Sequence, residues 1–348
     1  MLSFLLNMHK IVCIVSFLNL LGLLQGANDF SECVSPPMEC PNVNITFWLY
    51  TRANKDNPHQ LFANDASSIK SAPWVKDAPI KILIHGYTGW KDFSPNTEIR
   101  PAYMQCCDYN IISVDYNPIA REPCYMSAAR NTELVGKCTA QLLDELVSKF
   151  GFDINKFHPI GFSLGGQVAG YIGNYLQSGK LYRITALDPA MPLFVTNDKN
   201  KKVDPSDGLF VDVLHTNALW KGKLEASGHV DFYANGGLTQ PGCKPTANQS
   251  KSGCDHARAP VYFAESITTE EGCYASKCLS WFSYLIGWCE DSRSDDTILF
   301  GEYVPYNSSG LYFFSTNSES PYCRGKSKRP KRSNQESHLN DFYYLNWK

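Results

Sequence analysis

The sequence predicts an α/β fold, a mostly parallel central sheet covered by helices on both faces. Three observations carry the prediction. Short, nearly all-apolar runs such as Lys81-Ile-Leu-Ile-His85 and Asn110-Ile-Ile-Ser-Val-Asp115 read as strands buried on both faces, the environment of a parallel sheet. Segments with a helical apolar period alternate with them, as parallel connections require. Finally, Gly161-Phe-Ser-Leu-Gly165 describes a strand that turns sharply into a helix, with Ser163 at the apex.

Along the chain, Lys10 precedes an uncharged apolar run over 11–24 that ends in Gln25-Gly26-Ala27. The run is too short to span a bilayer comfortably, so residues 1–27 read as a cleaved secretory signal, with an N-terminal anchor as the alternative. Cys13 would leave with it, so 12 of the 13 cysteines remain. An even number of thiols in an exported chain points to disulfides. Sequons at Asn44, Asn248 and Asn307 fit the same compartment, and a secreted, extracellular protein is expected. A formal net charge of −2 argues against a nucleic-acid partner. Residues 28–323 are expected to form one domain.

Within that domain, 44–51 is β-rich. The strand at 81–85 runs into a loop with two glycines, Gly86-Tyr87-Thr88-Gly89. The strand at 110–115 is followed by a helix over about 128–150, whose apolar stripe is Leu134, Val135, Cys138, Leu142, Leu146 and Val147. Phe157 opens the strand into Ser163. The helix beyond it carries Leu164, Val168, Ala169, Ile172 and Leu176 on one face. Strands at 182–188 and 209–215 follow. Past His256 the pattern weakens into a loop-rich region with Cys273, Cys278 and Cys289, and 310–316 reads as a last strand. Residues 324–348 form a basic tail. Its bland reading is a solvated tail; Arg329-Pro-Lys-Arg332 also suits a processing protease or anionic lipid.

Gly161 and Gly165 are required where strand and helix nearly touch. The helix N-terminus then aims free N–H groups at any negative charge forming beside Ser163. The bland alternative is a Gly-rich turn with a structural serine. A serine hydroxyl is a poor nucleophile and needs a base, oriented in turn by an acid. On α/β-hydrolase sheets the order is Ser, acid, His. His215, His229, His256 and His338 follow Ser163. His338 lies in the polar tail, His215 ends a buried strand as a core histidine would, and His229 suits a turn. His256 follows a loop apparently closed by Cys243 and Cys254, mobile on one side and fixed on the other. For the acid, Asp188 ends an apolar strand before Pro189. Asp204, Asp207, Asp212 and Asp231 are competitors whose bland reading is solvation or turn bonding. Asp255 adjoins His256, which usually points its side chain elsewhere.

Several blocks, in order and spanning about residues 40–316, resemble the pancreatic lipase family of α/β-hydrolases. They are Ile84-His-Gly-Tyr87, Asn110-Ile-Ile-Ser-Val-Asp115, Gly161-Phe-Ser-Leu-Gly-Gly166, Ala186-Leu-Asp-Pro-Ala190, Asp204-Pro-Ser-Asp207 and Phe210-Val-Asp-Val-Leu-His-Thr216. Gly228-His-Val-Asp-Phe-Tyr-Ala-Asn-Gly-Gly237, Gln240-Pro-Gly-Cys243 and Cys254-Asp-His-Ala-Arg258 continue the series. The resemblance implies a triad of Ser163, Asp188 and His256, and an oxyanion hole from the N–H groups of Tyr87 and Leu164.

The departures from the family are equally informative. Phe162 stands where a His is common; its side chain is expected to face away from the reacting centre. The family's cation segment survives only as Asp204 and Asp207, with Lys199 and Lys202 replacing an acid and an Arg, so no metal and no cofactor are expected. The chain length leaves no room for a C-terminal β-sandwich domain, so no colipase is expected. Ten residues separate Cys243 from Cys254, a short lid for this family, and the facing segment 216–228 is also short. Together these resemble the phospholipase A1 branch, implying hydrolysis of the sn-1 ester of a phospholipid at a membrane or lipid interface. A triacylglycerol or galactolipid lipase with the same triad is the neighbouring reading, and a non-catalytic lipid-binding or storage protein a third. The pairing of Cys33, Cys40, Cys124 and Cys138 stays open, as do the partners of Cys273, Cys278 and Cys289 and the oligomeric state.

Overall fold

The computed structural model describes residues 32–247, 249–289 and 297–326. The expected signal segment, the sequon at Asn248, His338 and the basic tail beyond Lys326 lie outside the described residues.

A single sheet of eleven strands runs through the molecule in the order β10-β9-β11-β8-β7-β6-β5-β3-β4-β1-β2. In chain order these are β1 (Thr46–Tyr50), β2 (His59–Leu61), β3 (Ile80–Ile84), β4 (Asn110–Asp115), β5 (Phe157–Phe162) and β6 (Leu181–Leu187). The series ends with β7 (Gly208–His215), β8 (Val230–Ala234), β9 (Tyr274–Cys278), β10 (Thr297–Leu299) and β11 (Gly310–Phe314). From β4 across β3, β5, β6, β7 and β8 to β11 every pairing is parallel, and antiparallel strands close both edges. The expected α/β-hydrolase arrangement of a mostly parallel, doubly covered sheet is the one observed.

The apolar runs explain the core. Every residue of β3 and β5 is buried, as the absence of polar alternation foretold. Helices α1 (Ala66–Lys70), α2 (Asn96–Cys106), α3 (Tyr125–Phe150), α4 (Leu164–Tyr175), α5 (Lys251–Thr268) and α6 (Trp281–Leu285) are the described α-helices. One apolar cluster packs α3 and α4 onto one face of the sheet, through Leu134, Val135, Leu142, Val168 and Ile172. A second joins the other face to α2 and α5, through Ile99, Tyr103, Tyr262 and Phe263.

Two expectations need correcting. Helix α3 starts three residues earlier than its apolar stripe suggested, with Cys124, bonded to Cys33, at its N-cap. The segment after His256 is not loop-rich at first: it is the 18-residue helix α5, whose Gly253 and Pro260 disguise the helical period. The open disulfide question resolves as Cys33–Cys124, Cys40–Cys138, Cys273–Cys323 and Cys278–Cys289, and the adjacent Cys106 and Cys107 are bonded to each other. Among the described residues no helix is long and apolar enough to cross a membrane.

Candidate active site

Strand register lines up the loops that carry the candidate residues. Ile84 pairs with Gly161, Gly161 with Ala186, and Leu187 with Leu214. The residues just beyond these positions, Gly86, Ser163, Asp188 and Thr216, therefore emerge along one edge of the sheet.

Ser163 joins β5 to α4 with φ 57° and ψ −119°. A non-glycine residue held there stores roughly 1–3 kcal/mol of strain. The neighbouring glycines explain how it is held. A Cβ on Gly161 would lie 1.9 Å from the Gly165 carbonyl oxygen, and one on Gly165 would lie 2.2 Å from that of Ile84. Only side-chain-free backbone lets α4 start this close to β3 and β5.

Asp188 follows β6 and is fully buried. Its Oδ1 accepts the N–H groups of Thr216 at 2.8 Å and Asn217 at 3.1 Å, and its Oδ2 faces His256 Nδ1 at 2.5 Å. A Cβ on Gly222 would meet Asp188 Oδ1 at 2.4 Å, so the loop after β7 seals the carboxylate from solvent. An acceptor-only carboxylate at Nδ1 selects the tautomer with the proton on Nδ1, which leaves the Nε2 lone pair of His256 free. His256 lies on α5, whose N-cap Ser250 accepts from Gly253 N–H. It was expected beside a half-mobile loop; a capped helix holds it instead. The Ser163 hydroxyl makes no hydrogen bond to His256 in this arrangement; bonds of this kind commonly tighten only with substrate bound.

Phe162 departs from expectation. Its ring does not face away but packs on the His256 imidazole, with centroids 4.6 Å apart. Nothing in the sequence could reveal this, because the contact joins a strand end to a helix nearly a hundred residues later.

The loop after β3 runs against the serine: a Cβ on Gly86 would lie 2.9 Å from Ser163 Cβ and 3.4 Å from its Oγ. Neither Tyr87 nor Leu164 gives its N–H to a backbone acceptor among the described residues. The loop is braced by His85, whose Nε2 accepts Tyr116 N–H at 3.1 Å and whose Nδ1 donates to Gly86 O at 2.8 Å. The two rings stack 4.1 Å apart. Gln167 ties α4 to the segment after Asp188, donating to Ala190 O and accepting Val203 N–H.

The competitors have other roles. His215 is buried between Lys223 O and Asp231 Oδ1, and His229 accepts Val211 N–H through Nδ1. Asp231 takes the Ser227 and Gly228 N–H groups, and Asp204 and Asp207 bond within their own turn. Asp212 is neither solvated nor a turn residue: it forms a buried bidentate pair with Arg183. Asp255 points away from His256 to Gln240 N–H and Lys251.

Asp204 and Asp207 bear on the metal question. Asp204 Oδ2 and Asp207 Oδ1 are buried without a partner. Burial, assisted by the Asp204 charge, pushes the Asp207 carboxyl up to about 8. The residues around them supply little else. Lys202 spends its ammonium on Glu225, and the described residues hold no cluster of three or more His, Cys, Asp or Glu. A calcium ion takes six to eight oxygens, so two carboxylates fit it poorly and no chemistry is routed through a metal.

The ten-residue loop between Cys243 and Cys254, expected to be a lid, is tied down. Cys243 and Cys254 are bonded, Gln240 Nε2 donates to Thr216 O and Ala234 O, and Ser252 Oγ donates to Asn217 Oδ1. Of the remaining sequons, Asn307 is exposed, while Asn44 is half-buried and donates to Asn42 Oδ1.

Residues 25–322 match the family described as Lipase. Human pancreatic lipase-related protein 3 is 33% identical over 326 residues, covering 86% of this chain and 68% of the relative. Human inactive pancreatic lipase-related protein 1 is also 33% identical, covering 71% of this chain and 56% of the relative. Mouse pancreatic triacylglycerol lipase is 30% identical, covering 83% and 67%. The chain thus spans between about half and two thirds of the length of these relatives.

Proposed function

This chain belongs to the pancreatic lipase family, and from that premise we propose that it is a secreted carboxylic ester hydrolase acting on lipids, a phospholipase A1 that releases the sn-1 fatty acid. The observation that carries the catalytic part is the buried Asp188–His256 pair at the sheet edge that bears Ser163 on its strained turn.

In this reading His256 Nε2 takes the Ser163 proton as Oγ attacks the ester carbonyl. Asp188 stabilises the imidazolium that forms. The oxyanion is met by the Tyr87 and Leu164 N–H groups, one such donor being worth about 3–4 kcal/mol in comparable sites. His256 then protonates the departing lysophospholipid alcohol, and a water activated by the same base releases the fatty acid from the acyl-enzyme. Twelve cysteines paired in six disulfides support an oxidising, extracellular location.

Support for phospholipid over triacylglycerol comes from the walls of the cleft. The disulfide-tied lid holds ten residues, and the facing loop folds tightly back along the residues after Asp188. Low walls leave room for a polar headgroup. The mouse relative's name favours the second reading, a triacylglycerol lipase. The inactive human relative keeps a third in view, a lipid-binding protein without catalysis; the Asp188–His256 pair beside Ser163 weighs against it.

Rates on phosphatidylcholine, phosphatidylserine and triolein, with Ser163→Ala as control, separate the three. Faster phospholipid turnover supports the proposal and faster triolein turnover the second reading. Absence of Ser163-dependent turnover, with no labelling of Ser163 by an organophosphonate, leaves the third.

A further inference from the structure

We propose that the loop closed by Cys278 and Cys289 is a lipid-anchoring element that enters the surface of a zwitterionic phospholipid membrane and holds the Ser163 edge against it. The proposal rests on the lipid reading of the Ser163 site.

Residues 279–288 contain no Asp, Glu, Lys or Arg. Four large apolar side chains of the loop point to solvent: Leu279 is 93% exposed, Trp288 77%, Phe282 66% and Ile286 40%. Exposure of this density on one short segment marks an interaction surface. The loop is not loose. Its disulfide closes it, Ser280 caps α6 by accepting Ser283 N–H, Trp281 Nε1 donates to Gly236 O, and the Tyr284 ring stacks on Phe313 at 4.3 Å. Trp281 and Tyr284 thus fix the inner side while Phe282 and Trp288 are presented outward.

The anchoring contacts lead to the active-site edge. Gly236 and Gly237 follow β8, and Gly237 O accepts the N–H of Ala218. The next two residues, Leu219 and Trp220, are 52% and 56% exposed on the loop that covers Asp188, and Leu219 is held at φ 69°. A bulky apolar residue held out into water on a strained turn carries a hydration cost that a membrane would offset.

Charge selects lipid as the occupant. With no ion in 279–288, entry into the headgroup layer strips no charge of its water. Trp settles at the headgroup level, and Trp, Phe and Leu face the acyl boundary in interfacial helices. The exposed Lys221 beside Trp220 complements the phosphate that every phosphatidylcholine headgroup carries.

The test is flotation of full-length Ser163→Ala protein with phosphatidylcholine vesicles, so that binding is read without turnover. Phe282→Ser with Trp288→Ser, added to that background, is expected to weaken partition at least tenfold. Leu279→Lys, at a position too exposed to affect folding, is expected to weaken it in the same direction and decides the matter if the double variant does not fold. Parent protein that does not partition, or variants that partition equally well, would overturn the proposal. So would a dimer that the double variant converts to monomer while vesicle partition stays unchanged, since the loop would then join two copies of the chain. Binding that persists when Ser163-competent protein hydrolyses no phospholipid would keep the anchor and remove the function proposed above.

Discussion

Asp188 spends both oxygens, one on two backbone N–H groups and one on His256, and that division makes its substitution informative. Asp188→Asn can keep the backbone bonds through its oxygen but turns an NH2 toward His256 Nδ1. The imidazole must then carry its proton on Nε2 and cannot accept one from Ser163. A loss in kcat on the order of 10⁴, with little change in thermal stability, is expected from steady-state rates and melting curves. Phe162→Ala tests the ring contact that the sequence could not disclose. If the ring positions His256 as the proposed base, its removal lowers kcat on the order of 10²-fold while KM moves little; an unchanged kcat would mean that the ring only fills space. Asp207 gives a pH prediction. Its folded value of about 8, well above the ordinary carboxylate range, means that the folded state holds the proton more tightly. Stability from this group is therefore present at acid pH and lost as pH rises toward and through 8. With a chelator present, Asp207→Asn is expected to melt progressively higher than the parent between pH 5 and pH 8.5. A pH-independent difference, or a parent melting point raised by calcium, would contradict the metal-free reading.

Elements were legible where periodicity and chemistry agreed. The strands of the parallel core and the turn at Ser163 were visible because apolar runs and paired glycines admit few other structures. Helices α2 and α5 were not, since Pro101 and Pro260 lie inside them and tertiary packing overrides the local signal. His256 was consequently identified from chain order and its neighbouring cysteines, with the wrong local setting. Apart from the Cys243–Cys254 bond, which was expected and is present, disulfide partners were beyond reach, because residues as distant as Cys33 and Cys124 meet only once the fold is in place. A close helix contact was also silent. Gly136 of α3 faces α4, and a Cβ there would come within 2.3 Å of Tyr171 Cβ. Helix propensity alone would make Gly136→Ala stabilising by about 1 kcal/mol. An overlap this deep, against a backbone-fixed atom in a packed interface, outweighs that gain, so a lower melting temperature is expected; a higher one would show that α3 and α4 can move apart freely.

At the scale of the molecule, one sheet gathers Ser163, Asp188, His256 and the loop at Tyr87, the groups proposed as nucleophile, acid, base and oxyanion donor, and aligned strand ends do the gathering. That much follows from motif order and buried runs. The antiparallel strands at the two edges, and the way the lid and the loop over Asp188 lock together through Asn217, Ser252 and Gln240, depend on pairings between distant polar residues that no local pattern encodes. The proposed substrate class belongs to this scale, because the proposal rests on the height of both cleft walls together. The measurement that bears on it most directly is product analysis by mass spectrometry after incubation with mixed micelles of 1-palmitoyl-2-oleoyl phosphatidylcholine and triolein, using parent and Ser163→Ala protein. The account predicts palmitate and 2-oleoyl lysophosphatidylcholine from the parent alone, with little diolein. Release of oleate from the phospholipid, diolein as the main product, or the same products from Ser163→Ala would contradict it.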